Sequence, residues 1–556
     1  MPSELDRKFD EMFARVTGPG GRLVIERDAD GRAIAANLPA TLPALFRTFC
    51  AAHGATEAII SGKERLSFAD LDAWSERVAF ALVARGVAKG DRVGIAMRNC
   101  PAWVICYMAA LKAGAIATLL NGWWQPAELE HALALTEPTL IIADAPRAAR
   151  IAACGRAGFD LVSLAVDLPA QLALAPLLDG GGEGATLPDI SPEDDATILF
   201  TSGSTGESKG ALSTHRAVTT GVYAYATGLL TLLGILTDED RAPTAQPRTL
   251  LSVPLFHVTG EVPVLLNSFV IGRAMVLMPK WDVAEALRLI EKEKITYFVG
   301  VPTMSLELMN HHDRGAYNLT SLTDIAAGGA PLPISHVERL KASFPAAQPA
   351  LGYGLTETNA VGCSNFWGNY AAKPASTGRA QPPFVELAIL GEGDRHLPTN
   401  ERGEIAIRSA ANITCYWRNQ EATAAAFTPD GYLRTGDIGY LDADGYLFIV
   451  DRKKDIIIRG GENIASAEVE AACYACPAVA EAAVFGAPDE RLGEVPVAVI
   501  RSAEGAKLTE AELRKFLEPR LAAFKIPARF IFARAPLPRL GTGKIDRVAL
   551  KAQHGS

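Results

Sequence analysis

At 556 residues the chain is long enough for three or four domains, or for one large α/β body with appendages. Its 49% hydrophobic and 21% charged residues exclude an intrinsically disordered chain, and 49 Gly with 34 Pro are too few for a collagen-like one. The net charge of −9, with no Lys/Arg block, speaks against a general nucleic-acid binder.

Residues 1–16 are charged and amphipathic, without the apolar core of a signal peptide. Residues 1–41 as a whole read as a polar, loosely held lead-in. Helix and strand then alternate: helical spacing over 68–85 ending at Gly86, a strand at 92–97, a helix at 102–112, and strands at 116–120 and 140–143. That alternation predicts a parallel sheet with crossover helices. Residues 167–195, rich in Gly, Pro and acid, read as a loop. The nearly uncharged run 221–237 falls short of the ~20 residues that span a bilayer and predicts a buried helix, not an integral membrane segment. Alternation resumes to about Ile389. Residues 403–450 change to short β-runs broken by Asp430-Gly431 and Asp444-Gly445 turns. After the charge cluster Asp451-Arg-Lys-Lys-Asp455, residues 468–556 form an αβ pattern of their own. Eight irregularly spread Cys do not make a disulfide framework, so the expected compartment is the reducing cytoplasm.

The apolar strand end 198–200 runs into Thr201-Ser-Gly-Ser-Thr-Gly-Glu-Ser-Lys-Gly210, followed by helical spacing over 217–233. Free backbone N–H groups, hydroxyls and one Lys suit a polyphosphate. The loop lacks the Gly-Lys-Ser/Thr ending of a Walker A motif, which argues against an ADP-forming P-loop ATPase. It resembles the signature loop of the adenylate-forming superfamily, which includes acyl-CoA synthetases, and further motifs of that superfamily follow in order. Gly352-Tyr-Gly-Leu-Thr-Glu-Thr358 resembles the segment whose Tyr packs on adenine, whose Thr meets the α-phosphate and whose Glu holds Mg²⁺. Gly328-Gly-Ala-Pro-Leu332 resembles the adenine-pocket loop, and Thr435-Gly-Asp437 the motif whose Asp takes both ribose hydroxyls. The cluster 451–455 resembles the interdomain hinge, Gly460-Gly-Glu-Asn463 the loop near the pantetheine thiol, and Pro538-Arg-Leu-Gly-Thr-Gly-Lys-Ile-Asp546 the motif bearing the catalytic lysine. Between Asn463 and Glu468 many relatives carry a Pro, where this chain has Ala465 and Ser466.

The resemblance covers roughly residues 42–547. It implies an α/β fold: a large domain, 42–453, of parallel and mixed sheets with a β-rich subdomain, and a small mobile α+β domain, 454–556. It implies ATP, Mg²⁺ and coenzyme A as cofactor and co-substrates. A carboxylic acid would be activated as an acyl-adenylate with release of pyrophosphate, then passed to a thiol with release of AMP. Thr201, Ser202, Gly203, Ser204, Thr205, Gly206 and Lys209 would hold the phosphates. Gly329, Ala330, Tyr353, Asp437, Arg452 and Gly461 would bind the nucleotide and co-substrate, Thr356 and Glu357 the α-phosphate and Mg²⁺. Lys544 would be the catalytic lysine and Lys454 the pivot. In Pro254-Leu-Phe-His-Val-Thr-Gly260, His257 would meet the substrate carboxylate.

No acid stands in 251–260 to hold an amino group, Glu261 being the nearest, and Val262, Val264, Leu265, Leu266, Phe269 and Val270, with 299–304, make an apolar run. This favours an acyl or aryl acid over an amino acid, with a medium- or long-chain fatty acid leading. The chain runs twelve residues past Lys544 and shows no fused carrier domain, so coenzyme A is the expected acceptor. Loading of a carrier protein is the alternative, and a homodimer is left open. Cys473 and Cys476 read as helix-buried thiols, His311-His312 as a polar loop pair, and Trp123-Trp124 as packing residues.

Overall fold

The computed structural model describes residues 2–179, 181–182, 184–201, 208–328, 334–453, 455–459, 462–540 and 544–555. The first large sheet has seven strands in the spatial order 415–416, 209–214, 195–201, 116–119, 92–96, 140–144, 160–164. The five from 195–201 onward run parallel, and the pair at the other edge is antiparallel. The second sheet has nine strands with a parallel core from 57–61 through 348–354 and antiparallel edges. Parallel strands are covered by helices on both faces, which is why they read as near-continuous apolar runs. Helix Pro101–Lys112 shows the same pressure: every one of its residues is buried, and its one cation, Lys112, donates to Asp72 Oδ1 at 2.6 Å.

A four-stranded antiparallel sheet follows, in the order 386–390, 403–408, 433–441, 447–452. This is the β-rich stretch with Asp-Gly turns, and Gly431 and Gly445 do take left-handed φ values of 85° and 78°. The last sheet, of five strands, draws on residues 457–533 only; among the described residues none of its strands pairs with an earlier one. The architecture is therefore the expected α/β one.

Two readings are corrected. Residues 1–41 are not loosely held. Ser3 caps helix α1 (Glu4–Thr17) in a capping box with Asp6, and Met12 and Val16 are buried. Asp6, 4% exposed, accepts from Asn369 Nδ2 and Tyr446 OH, each at 2.9 Å. The apolar run 221–237 is part of a longer helix, α2 (His215–Asp238), capped by Thr214. By length and composition α2 could cross a membrane, but 61% of its most apolar window is buried inside the protein, as in a core helix. The two helices cross where Gly234 lacks a side chain, since a Cβ there would stand 2.5 Å from Met12 Sδ.

Candidate active site

The phosphate loop is not a strand-to-helix turn. Strand β1 (Asp195–Thr201) and strand β2 (Lys209–Thr214) are antiparallel, with Lys209 opposite Thr201, so the loop closes a hairpin. Helix α2 begins one strand later and offers its N-terminus elsewhere. Of the groups the sequence reading assigns to anion binding there, Thr201 and Lys209 are the described ones. Ser202, Gly203, Ser204, Thr205 and Gly206 lie outside the described residues, as do Gly329, Ala330, Lys454 and Gly461. Lys209 Nζ lies 4.9 Å from the Tyr416 ring centroid, and the Tyr416 hydroxyl donates to Glu357 Oε1 at 2.8 Å. Tyr416 therefore links Lys209 to Glu357. Sequence reasoning missed it; its only local signal is an aromatic residue among Cys415, Trp417 and Arg418.

Thr356 and Glu357 form a 3₁₀ turn after strand β3 (Gln348–Gly354). The chain doubles back tightly there: a Cβ on Gly354 would lie 2.0 Å from the Ala360 carbonyl oxygen. Asn359, at φ 48°, pins the turn to β2 by donating to Ser213 Oγ at 3.0 Å and to Ala411 O at 2.8 Å. Among the described residues Glu357 joins no salt bridge. A carboxylate oriented by one hydroxyl and, among the described residues, in no salt bridge fits Mg²⁺, which takes few carboxylates and fills its shell with phosphate oxygens and water.

Asp437 and Arg452 face each other across strands β4 (Leu433–Leu441) and β5 (Leu447–Arg452). Asp437 Oδ1 lies 3.2 Å from Arg452 Nε, and Oδ2 accepts from Tyr353 OH at 2.7 Å. Each carboxylate oxygen has two acceptor directions, so one remains on each for a pair of ribose hydroxyls. Burial raises the Asp437 pKa, while Arg452, Tyr353 and Lys544 oppose that shift.

Lys544 lies in a cavity of about 20 Å³ with Val253, Pro254, His257, Thr259, Gly300, Val301 and Gly328. That is room for about one water molecule. Leu540 N–H bonds to the Lys544 carbonyl at 2.8 Å, and Arg539 pairs with Ile545. Burial, then repulsion from Arg452, lowers the Lys544 pKa to about 8, with Asp437 acting the other way. Burial, then Lys544, lowers His257 to about 3. Burial thus favours the neutral imidazole. Its Nδ1 accepts from Thr259 N–H at 3.3 Å, which assigns the ring proton to Nε2 and makes that nitrogen a donor.

The remaining motifs resolve as follows. Trp124 packs edge-on against Phe200 at 5.0 Å and Trp123 against Phe256 at 4.8 Å, so the pair braces the neighbours of Thr201 and His257. Glu261 is fully buried, accepts from Tyr107 OH at 2.6 Å and does not line the Lys544 cavity. Cys473 and Cys476 are buried, and burial raises Cys473 to about 12. Ser466 donates its N–H to Asp451 Oδ2 and its hydroxyl to Asp455 O at 2.5 Å. A proline at 466 would have no N–H for Asp451.

An AMP-binding enzyme model matches residues 46–417, and an AMP-binding enzyme C-terminal domain model matches 468–544. The chain belongs to the AMP-binding enzyme family. It is 34% identical over 522 residues to a long-chain-fatty-acid–CoA ligase of Bacillus subtilis, covering 87% of this chain and 89% of the relative. It is 33% identical to a feruloyl-CoA synthase of Amycolatopsis, covering 90% and 96%. ATP-bound MatB from Rhodopseudomonas palustris, 28% identical, superposes with a TM-score of 0.80 over 93% of this chain and 99% of that one. The apo form of the same protein gives 0.71 at the same coverage. The arrangement described here is thus closer to the ATP-bound form. The protein is an AMP-forming acid–CoA ligase, which activates a carboxylic acid as an acyl-adenylate and transfers it to coenzyme A.

Proposed function

We propose that the acid is one with an apolar body, a medium- or long-chain fatty acid first, and that Lys544 and His257 flank its carboxylate during adenylation. The observation that carries this is the seating of Lys544 beside His257 in a cavity lined by Val253, Pro254 and Val301, with no carboxylate among the lining residues. In the first half-reaction a carboxylate oxygen attacks the α-phosphorus and the bond to the pyrophosphate oxygen breaks. An anion approaches an anion, so charge neutralisation and positioning must supply the rate. Lys209 and the hairpin loop bind the leaving phosphates. Thr356 and the Lys544 ammonium face the developing charge, the His257 Nε2–H donates to the carboxylate, and Asp437 holds the ribose. Glu357, oriented by Tyr416, would hold Mg²⁺, which supplies positive charge to the phosphate oxygens.

In the second half-reaction a thiolate attacks the acyl carbonyl and AMP leaves. The lysine must make room for that thiol, and we place the pivot at the 453/454 boundary, around Lys454. The test is incubation with ATP, Mg²⁺, coenzyme A and acids from acetate to palmitate, together with benzoates and cinnamates. AMP, pyrophosphate and a CoA thioester are expected, with the highest kcat/KM for acids of medium or long chain. A clear preference for aryl or short acids overturns the fatty-acid assignment.

A further inference from the structure

The backbone beyond His257 is unusual. A π-helix, Gly260–Leu266, begins directly after Thr259 and contains Pro263. A π turn breaks the regular i→i−4 ladder, so carbonyls near its C-terminal end can take donors from outside the helix. Arg273 supplies them. Its Nη2 lies 3.1 Å from both Pro263 O and Val264 O, and its Nε donates to Ser268 Oγ at 2.9 Å. The Ser268 hydroxyl in turn donates to Val264 O at 2.5 Å. Arg273 is 3% exposed and, among the described residues, has no carboxylate partner. Burial lowers its pKa to about 10, so it is charged at neutral pH.

The same guanidinium reaches the opposite side. Its Cζ stands 4.8 Å from the ring centroid of Tyr297, a cation–π contact. Tyr297 opens the strand Tyr297–Gly300, which delivers Gly300 and Val301 to the Lys544 cavity. His257 and Thr259, on the segment leading into the π-helix, line the same cavity. One buried cation therefore touches the continuations of both segments, the π-helix after Thr259 and the strand residue three positions before Gly300. Burying an unpaired charge is costly, and an apolar side chain of similar volume would avoid that cost. The flat fork is what can satisfy two carbonyls and a hydroxyl while presenting a face to a ring.

We infer that Arg273 is a positioning residue that fixes the spacing between the two walls of the acid cavity, and so sets the affinity for the acid without touching it. The inference rests on the proposed placement of the acid beside His257. Steady-state KM values for the acid and for ATP should be measured in Arg273→Met, Arg273→Lys and Tyr297→Leu, with thermal melting in parallel. In Arg273→Met the KM for the acid should rise about tenfold while that for ATP stays within about twofold. Arg273→Lys keeps the charge but not the fork, and should show about a threefold rise, as should Tyr297→Leu, which removes the ring. If Arg273→Met does not fold, the other two variants make the same comparison. Parallel rises in both KM values, or unchanged KM values with only a lowered melting temperature, overturn the inference. His257→Ala separates it from the placement beneath it. Should His257→Ala leave the KM and kcat for the acid unmoved, the placement fails; should it impair them while the Arg273 and Tyr297 variants do not, only the role of Arg273 fails.

Discussion

Replacing Lys544 by Ala should separate the two half-reactions. In the cleft described here the ammonium sits with His257 and is coupled to Arg452 and Asp437. Losing one preorganised charge from such a site costs roughly 2–4 kcal/mol of barrier, which is about 30- to 1,000-fold in rate. Single-turnover formation of pyrophosphate from ATP and acid should slow by that factor. Thioester formation from supplied acyl-adenylate should stay within about threefold, because the lysine must leave before the thiol arrives. The wild-type pH profile gives an independent check. The active form is the protonated amine, and its pKa is lowered to about 8 by burial and Arg452, so kcat/KM for adenylation should fall as pH rises through about 8. Bound phosphates favour the ammonium, so the corresponding limb in kcat should lie at higher pH. Equal slowing of both half-reactions by Lys544→Ala, or an adenylation rate within threefold of wild type, refutes the reasoning.

His257 is held neutral by burial, with a pKa of about 3, so acid activation should show no His-type limb between pH 5 and 7; His257→Gln, which keeps a donor, should retain more kcat/KM for the acid than His257→Ala in steady-state assays. Asp437→Ala removes the shared acceptor of Tyr353 and Arg452 and should raise the KM for ATP by about 10- to 100-fold, as expected for hydrogen bonds to a charged group, with little change in the KM for the acid. Asp6→Ala leaves Asn369 and Tyr446 without their buried acceptor and should destabilise the protein by about 2–4 kcal/mol in urea unfolding, with kcat unchanged.

The parts legible in the sequence were those written in adjacent residues. Glycine- and hydroxyl-rich loops, Asp-Gly turns and the charge cluster at 451–455 each carry their chemistry within a few positions. Long-range partnerships were not legible. Tyr416 lies 59 residues from Glu357 and bonds to it because the 415–416 strand pairs with β2. Asp6 lies 440 residues from Tyr446, and nothing local marks it as an anchor, so the amphipathic pattern of residues 1–16 was seen while its docking was not. The hairpin beneath the phosphate loop was hidden for another reason. Lys209–Thr214 is short and small-residued, and the stronger helical signal that follows it drew the loop into a strand-to-helix reading.

The lowered pKa of Lys544 also bears on why one chain can run both half-reactions. An amine whose pKa falls on entering a cleft holds its proton less tightly there than in water, so inserting it as an ammonium is uphill at neutral pH unless anions wait inside. ATP provides those anions, and binding it therefore favours the arrangement with the lysine inserted. Once pyrophosphate has departed, much of that negative charge is gone, and the adenylate's single phosphoryl group offsets less of the cost of keeping the cation buried. On the proposed mechanism, the step that completes the first reaction thus weakens the contact that has to break before the second. Asp437 offsets only part of that cost: it favours the Lys544 ammonium, but burial and Arg452 outweigh it. The TM-score of 0.80 to ATP-bound MatB, against 0.71 to its apo form, is in keeping with a lysine-inserted arrangement being the one that suits bound nucleotide.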